Sequence, residues 1–332
     1  MHVIANPDLI TGSNLTYELR LPRRKLLAMT ILMPNHKKAI IALILANTIW
    51  GATPPLMKWA LYDVHTFTLA FLRYAIPCVL IAIFYHKKLA IHMKDFFVIF
   101  LCAFFGITLN IGFYFIGIHY TQSINVTIIA SASPVFLILG SIFFLREHLT
   151  RKQLLGNLLG LTGVFFIVIQ PLWNAIPDGS IFGNILLVLS AFASIGNTLF
   201  AKRIIKKYHP MTLVFWTFLV GAISFTPLFF QETKAYGFLS HLSLPGFIGI
   251  LYGSIFASLI AWFLFYFALK YFKASETGVF EYIDPLATLL VAAPLLHEYP
   301  SPLFIFGSLL VFFGIYIAQG RLQWHPIHRL FK

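Results

Sequence analysis

Two carboxylates stand three residues apart in an otherwise apolar stretch, VFEYIDPLATLL, at positions 279–290. Glu281 and Asp284 have the spacing that places two side chains on one face of a helix. An ionised carboxylate near the centre of a bilayer costs roughly 2.5 kcal/mol or more, so the pair should face the protein interior. Two carboxylates this close also disfavour simultaneous ionisation. The pattern predicts a site for a proton or a substrate ammonium group, with a structural ion pair or a cytoplasmic vestibule as the alternative.

Arg73 is the predicted partner of these acids. Counted along the predicted second and ninth membrane spans, Arg73 and Asp284 differ in depth by roughly 6 Å in a hydrocarbon core of about 30 Å. We expect Arg73 either to hold Asp284 or to bind a substrate carboxylate when Asp284 is protonated. A purely structural ion pair is the alternative.

Pro285 and Pro134 are predicted hinges. Pro285 has no N–H and therefore frees the carbonyl of Glu281, and Pro134 frees that of Ala130 in the same way. A freed carbonyl is tolerated in a membrane where it faces protein or a wet cavity, which favours a binding site beside both prolines. A simple packing kink is the alternative.

Other amide, hydroxyl and aromatic side chains in the predicted spans could complete a substrate pocket, although each such residue alone is more often used for packing or for an interhelical hydrogen bond. They are Asn47, Trp50, Asn110, Tyr114, Asn125, Ser131, Asn197, Trp262, Tyr266 and Tyr282. No cofactor or metal is expected, because the histidines lack metalloprotease-type spacing and no Walker-type loop is present. A membrane-embedded enzyme, or a receptor or scaffold, is the alternative function.

The elements that position these residues are apolar helices. Of the 332 residues, 59% are hydrophobic and 11% charged, with a mean hydropathy of +0.84, which is far too apolar for a soluble domain. Ten stretches are long enough to cross a bilayer, so we predict an all-α integral membrane protein with ten transmembrane helices. The approximate spans are 39–58, 66–86, 95–117, 122–145, 152–172, 181–201, 210–230, 245–270, 275–296 and 301–320.

The net charge of the chain is +13, and its Lys and Arg residues are distributed unevenly among the predicted loops. If the N-terminus is cytoplasmic, 21 of the 24 Lys and Arg residues lie inside, Lys58 and Lys234 lie outside, and Arg73 lies within a span. The positive-inside rule therefore predicts that both termini are cytoplasmic, and the charge does not indicate nucleic acid binding. We expect the plasma membrane of a prokaryotic cell. Residues 1–34 are interpreted as a cytoplasmic or interfacial extension, or as an artefact of an upstream start site, and 321–332 as a basic cytoplasmic tail.

The two halves of the chain repeat one another. They are residues 35–172 and 181–320, and each contains five predicted helices. Because five is odd, the second half should be inserted upside down, the frame typical of alternating-access transporters. The paired residues are Lys58 with Lys202 and His65 with His209 at an offset of 144, and Tyr120 with Tyr271, Pro134 with Pro285 and Glu147 with Glu298 at an offset of 151.

Three segments carry a family resemblance: IWGATPPLMKWAL, the run from IIASASPVF to GVFFIV, and its echo FEYIDPLATLLVAAPLLHEYP. They resemble the two EamA repeats of the drug/metabolite transporter superfamily, over about residues 39–320. The resemblance implies ten helices, cytoplasmic termini, a central cavity, and movement of amino acids, other metabolites or drugs, often outward. It names no substrate. The ninth helix departs from the family pattern, in which one acidic residue or none usually precedes the proline.

We therefore predict a proton-coupled or facilitative carrier of small zwitterionic or cationic metabolites. Gly156, Gly160 and Gly163 form a close-packing face that joins helices within the protomer or across a homodimer. Glu147 and Glu298 end helices four and nine, and are interpreted as interfacial hydrogen-bonding groups or gate elements.

Overall fold

The computed structural model describes residues 23–133, 136, 151–172, 181–238, 242–272 and 277–319. In this part of the chain we number ten helices. They are α1 (Arg23–Ala60), α2 (Thr66–Tyr85), α3 (Met93–His119), α4 (Ser123–Ser131), α5 (Arg151–Ile169), α6 (Ile181–Ile204), α7 (Pro210–Tyr236), α8 (Leu244–Leu269), α9 (Ile283–Leu296) and α10 (Pro302–Gln319).

Seven of these helices, α1 to α3 and α5 to α8, are long and apolar enough within the described residues to cross a membrane. The helices α4 and α9 are shorter, with nine and 14 residues. The predicted fourth span, 122–145, extends beyond the described residues. Many large apolar side chains on the helices are exposed, which is expected where lipid is the solvent.

The packing of the helices repeats between the two halves. The first helix, α1, packs against α8 and α9, and α6, the first helix of the second half, packs against α3 and α4. Three helices lie directly beside the corresponding helix of the other half: α2 beside α7, α4 beside α9 and α5 beside α10. The repeat read from the sequence is therefore present in the contacts.

Two wide helical turns occupy corresponding positions. Phe104–Leu109 in α3 and Tyr252–Ile260 in α8 are π-helical, and the offset of 151 residues maps the first segment onto 255–260. Segments of this kind are rare and are frequent at functional sites. The sequence analysis did not predict them.

Hydrogen bonds around Glu298 join three helices at one end of the bundle, which we call the Lys58 end. Glu298 Oε1 lies 2.9 Å from Lys58 Nζ and accepts from the Ser123 N–H at 3.1 Å. Its Oε2 accepts from the Ser123 hydroxyl at 2.6 Å and from the Ile124 N–H at 3.2 Å. The carboxylate thus caps the start of α4 while it pairs with the last turn of α1.

A neutral polar network extends the Lys58 end to other helices. Asn125 donates to Asn184 Oδ1 at 3.1 Å and accepts from Gln170 Nε2 at 3.1 Å. Ser301 donates to Gln170 Oε1 at 3.1 Å. These contacts bring the starts of α4, α6 and α10 together with the segment that follows α5.

Two loops meet outside the spans at the same end. The carboxylate of Asp63, just after α1, accepts from the Ser243 hydroxyl and from the Gly246 N–H, the latter at 3.0 Å. The Ser243 hydroxyl bond is the main reason why the pKa of Asp63 lies below its ordinary value.

The glycine face of α5 is covered by α10 of the same chain. A methyl group on Gly163 would lie 2.5 Å from the Gly307 oxygen, and one on Gly314 would lie 2.4 Å from the Gly160 nitrogen and 2.5 Å from the Gly156 oxygen. The backbones therefore approach too closely for any side chain there. The homodimer through the same glycines stays a prediction.

Candidate functional site

The acidic pair lies where the ninth helix changes its geometry. Gly278–Tyr282 forms a 3₁₀ turn that leads into α9, so Glu281 belongs to the turn and Asp284 to the first turn of the α-helix. Pro285 frees the Glu281 carbonyl, as predicted, and the Ser131 hydroxyl of α4 donates to that oxygen at 3.1 Å. A side chain of the first half thus replaces the bond that the proline of the second half removes.

Both carboxylates lie inside the bundle. Asp284 is 7% exposed, whereas Leu286 and Leu290 on the opposite face of α9 are 68% and 78% exposed. Glu281 Oε2 and Asp284 Oδ1 are buried and have no hydrogen-bond partner among the described residues. The Ser133 hydroxyl donates to the Ala130 carbonyl of its own segment. The pair therefore faces protein rather than lipid and keeps acceptor capacity for a proton or a cation.

Helix α1 lies directly against Asp284. A methyl group on Gly51 would lie 2.6 Å from the main-chain carbonyl oxygen of Asp284 and 2.8 Å from Ala287 Cβ. The Thr288 hydroxyl contacts both helices, because it lies 2.5 Å from the main-chain carbonyl oxygen of Gly51 and 2.9 Å from that of Asp284. The absence of a side chain at Gly51 is what allows α1 and α9 to meet at the acid.

Arg73 does not pair with Asp284, so the predicted ion pair is wrong for the described residues. Arg73 is 3% exposed, and its Nε donates to the Ser258 hydroxyl of α8 at 3.1 Å. Its Cζ lies 5.6 Å from the Tyr74 ring centroid and 6.0 Å from that of Phe115. The prediction counted depth along α2, but depth does not fix the face of the helix from which a side chain projects.

Trp50 connects the acidic pair with Arg73. The Trp50 indole N–H donates to the Ala257 carbonyl at 2.9 Å. Ala257 precedes Ser258, which binds Arg73, and Trp50 precedes Gly51, which contacts Asp284. The Arg73 partner Ser258 and the main chain of Asp284 are therefore linked through one contact between α1 and α8.

Aromatic rings continue from this contact into the second half. The Trp50 and Trp262 ring centroids are 5.8 Å apart, and Trp262 lies 5.4 Å from Tyr266 and 6.1 Å from Phe218. Tyr74, beside Arg73, lies 5.1 Å from Phe218. The predicted residues Trp50, Trp262 and Tyr266 are thus brought together.

Asn197 joins this group through hydrogen bonds. Its Nδ2 donates to the Tyr266 hydroxyl at 3.1 Å and to the Cys102 carbonyl at 2.9 Å. The side chain is 2% exposed, and its amide holds α3, α6 and α8 together. This contact is structural in character, and Asn197 approaches the candidate site only through Tyr266.

Other predicted residues lie apart or are engaged locally. Asn110 donates to the Ser190 carbonyl at 2.8 Å, and the Tyr282 ring packs against Phe312 with centroids 5.5 Å apart. Asn47 lies one turn before Gly51 and donates to the carbonyl of Leu43 at 2.8 Å, while its Oδ1 is buried and unpaired. Pro134 and Glu147 lie outside the described residues.

Several residues of the site were not predicted from the sequence. Ser258 holds Arg73, Tyr74 lies beneath it, and Thr288 links α1 to α9. Ser254 and Ser258 are four residues apart in an apolar run, a spacing that marks one face of a helix and could have indicated the polar contact.

Comparison with known proteins follows the same division of the chain. The sequence profile of the EamA-like transporter family matches residues 37–169 and 181–319. A protein of Archaeoglobus fulgidus described as an uncharacterized transporter is 29% identical over 86% of this chain and 99% of its own length. The riboflavin transporter ImpX of Fusobacterium nucleatum is 24% identical over 85% of this chain and 98% of its own length.

One solved crystal structure has a similar fold. It is 17% identical, matches with a TM-score of 0.52, and covers 85% of this chain and 97% of that chain. At this level of identity the likeness concerns the fold alone.

Proposed function

Because this chain belongs to the EamA-like transporter family, we propose that it is a secondary transporter that moves small organic solutes by alternating access. As a family member with seven spanning-length apolar helices it is an integral membrane protein. The observation that supports the finer proposal is the pair Glu281 and Asp284, two interior carboxylates that each have a buried oxygen with no partner in the part of the chain that the structure describes.

The acidic pair is proposed to bind a proton or a substrate ammonium group. A carboxylate inside a membrane is stable when it is protonated or when a cation neutralises it. No Lys or Arg among the described residues lies within ion-pair distance of Glu281 or Asp284. The proposed substrates are accordingly amino acids or related zwitterionic or cationic metabolites, carried by a proton-coupled or facilitative mechanism.

Alternating access is proposed to depend on two inverted halves. Several contacts support this arrangement. At the Lys58 end, α1 ends where α6 begins, because Glu298 joins α1 to the start of α4 and Asn125 joins α4 to the start of α6. The equivalent packing and the two corresponding π-helical segments agree with it.

The distribution of Lys and Arg residues supports a proposed orientation in the membrane. Under the positive-inside rule, both termini are cytoplasmic and the Lys58 end faces the outside of a prokaryotic plasma membrane. Glu298 is then proposed as part of an outer gate, since its four contacts hold α1, α4 and α9 together. Opening toward the outside would require these helices to separate.

Flux through purified protein tests the proposal. Radiolabelled amino acids, amines, nucleosides and riboflavin are offered to proteoliposomes, with and without an imposed pH gradient. Saturable uptake above protein-free vesicles is expected for at least one amino acid or amine. Hydrolysis or group transfer by the same preparation, without uptake of any solute in this panel, would instead favour a membrane enzyme and reject transport.

A further inference from the structure

We propose that Arg73, Tyr74 and Tyr114 form a binding site for the carboxylate group of the transported solute. This inference rests on the proposed transport function and specifies its substrate class. The solute would carry both a carboxylate, bound here, and an ammonium group, bound by Glu281 and Asp284.

Arg73 is a buried cation with no carboxylate within ion-pair distance among the described residues. It is 3% exposed, and its single side-chain hydrogen bond in the described part of the chain runs from Nε to the neutral Ser258 hydroxyl. A guanidinium stays protonated in proteins and presents five N–H donors in a planar fork. Most of these N–H donors therefore have no acceptor in the described part of the chain, although a buried charge is stable only when it is paired.

The aromatic rings beside Arg73 offset part of this charge. Its Cζ lies 5.6 Å from the Tyr74 centroid and 6.0 Å from the Phe115 centroid. Both distances are close to the outer limit of a cation–π contact, about 6 Å. These contacts position the guanidinium but leave its terminal N–H groups available to an acceptor.

Two further donors lie beside the guanidinium. Tyr74 and Tyr114 are 0% and 8% exposed, and neither buried hydroxyl oxygen has a hydrogen-bond partner in the described part of the chain. The Tyr74 ring centroid lies 5.6 Å from Arg73 Cζ, and the Tyr114 ring centroid lies 5.1 Å from that of Phe115, the other ring beside the guanidinium. One guanidinium with two phenolic O–H groups is a set of donors, and a carboxylate supplies acceptor lone pairs for all of them.

The surroundings favour a solute that bears both charges. Trp50 and Gly51 are consecutive residues of α1. Trp50 donates to Ala257, the neighbour of the Arg73 partner Ser258, and Gly51 packs against the main chain of Asp284. The offset of 144 residues places neutral Thr217 and Phe218 at the positions of Arg73 and Tyr74. The proposed anion site thus has no charged counterpart in the second half.

The test compares each amino acid with its decarboxylated amine and its α-amide. Thermal stabilisation of the purified protein and uptake into proteoliposomes are measured for the wild type, Arg73→Gln and Tyr114→Phe. Tyr114→Phe removes only a hydroxyl group, so it tests the site even if Arg73→Gln fails to fold. Arg203→Gln, which changes an exposed arginine at the end of α6, is the matched control.

The wild type is expected to favour an amino acid over its amine and amide. Arg73→Gln should weaken the apparent affinity for the amino acid about 10- to 100-fold, as expected for loss of a charged hydrogen bond. Tyr114→Phe should weaken it about 3- to 10-fold, and neither variant should weaken binding of the amine. Arg203→Gln should behave as the wild type.

Three results would overturn the proposal. Equal handling of acid and amine by the wild type would remove the carboxylate from recognition while leaving transport intact. Stabilisation by chloride but by no carboxylate would identify an inorganic anion site instead. Uptake of neither amino acids nor amines would reject the proposed substrate class, and the carboxylate site with it, while uptake of a nucleoside or riboflavin would leave the transport function standing.

Discussion

Lys58 Nζ and Glu298 Oε1 lie 2.9 Å apart and join the last turn of α1 to the residue that follows His297 at the end of α9. The two side chains are buried, with 8% and 4% of each residue exposed. Because three hydrogen bonds from Ser123 and Ile124 also reach Glu298, the carboxylate has partners beyond the lysine.

The three hydrogen bonds from α4 to Glu298 predict that substitutions of Glu298 and of Lys58 have unequal effects. Glu298→Gln removes the negative charge that Lys58 and the three α4 hydrogen bonds share, and should cost about 3–5 kcal/mol of unfolding free energy. Lys58→Met should cost less, because the α4 donors still stabilise the carboxylate. Thermal unfolding in detergent measures both.

Lys207→Met is the control for these variants, since Lys207 pairs with Asp95 at 2.8 Å but is 58% exposed. We expect no measurable change in its unfolding. A larger loss for Lys58→Met than for Glu298→Gln would contradict the capping role of Glu298.

Asp284→Asn should abolish the dependence of uptake on pH while the protein still folds. The amide keeps the shape of the side chain but cannot exchange a proton in this range. Initial uptake rates across a series of external pH values provide the measurement, with Asp95→Asn as a control for an acid outside the site. An unchanged pH profile in Asp284→Asn would remove Asp284 from the coupling mechanism.

Ser131→Ala should destabilise the protein by about 1 kcal/mol, because the Glu281 carbonyl loses the hydroxyl donor that faces it from α4. Ser194→Ala is the matched control, since its hydroxyl donates to the Ala191 carbonyl within its own helix. Unfolding midpoints of the two variants are compared. Equal midpoints would show that the carbonyl does not depend on Ser131.

Gly51→Ala should impair both stability and uptake. The added methyl group would lie 2.6 Å from the main-chain carbonyl oxygen of Asp284, so α1 and α9 must separate. In Gly112→Ala the nearest atom to the new methyl group lies 3.9 Å away, and we expect this control to behave as the wild type. Comparable unfolding and uptake in the two variants would contradict the close approach at Asp284.

The lengths of the apolar helices could be predicted from the sequence, because the thickness of the hydrocarbon core sets how many residues a spanning helix needs. The repeat could also be predicted, because residues of the first half recur at a fixed offset in the second. The carbonyl freed by Pro285 was also predictable, since it follows from the missing N–H. The partner of Arg73 was not, because distance along a helix gives depth but not direction. Ser258 became its partner through the packing of α2 on α8, which a single sequence does not encode locally.

The wide turns of α3 and α8 bear on ancestry. A π-helical segment is rare, so one seldom arises twice at the same place by chance. Phe104–Leu109 and Tyr252–Ile260 occupy matching places in the two halves. Matching segments of this kind are expected if both halves descend from one five-helix unit.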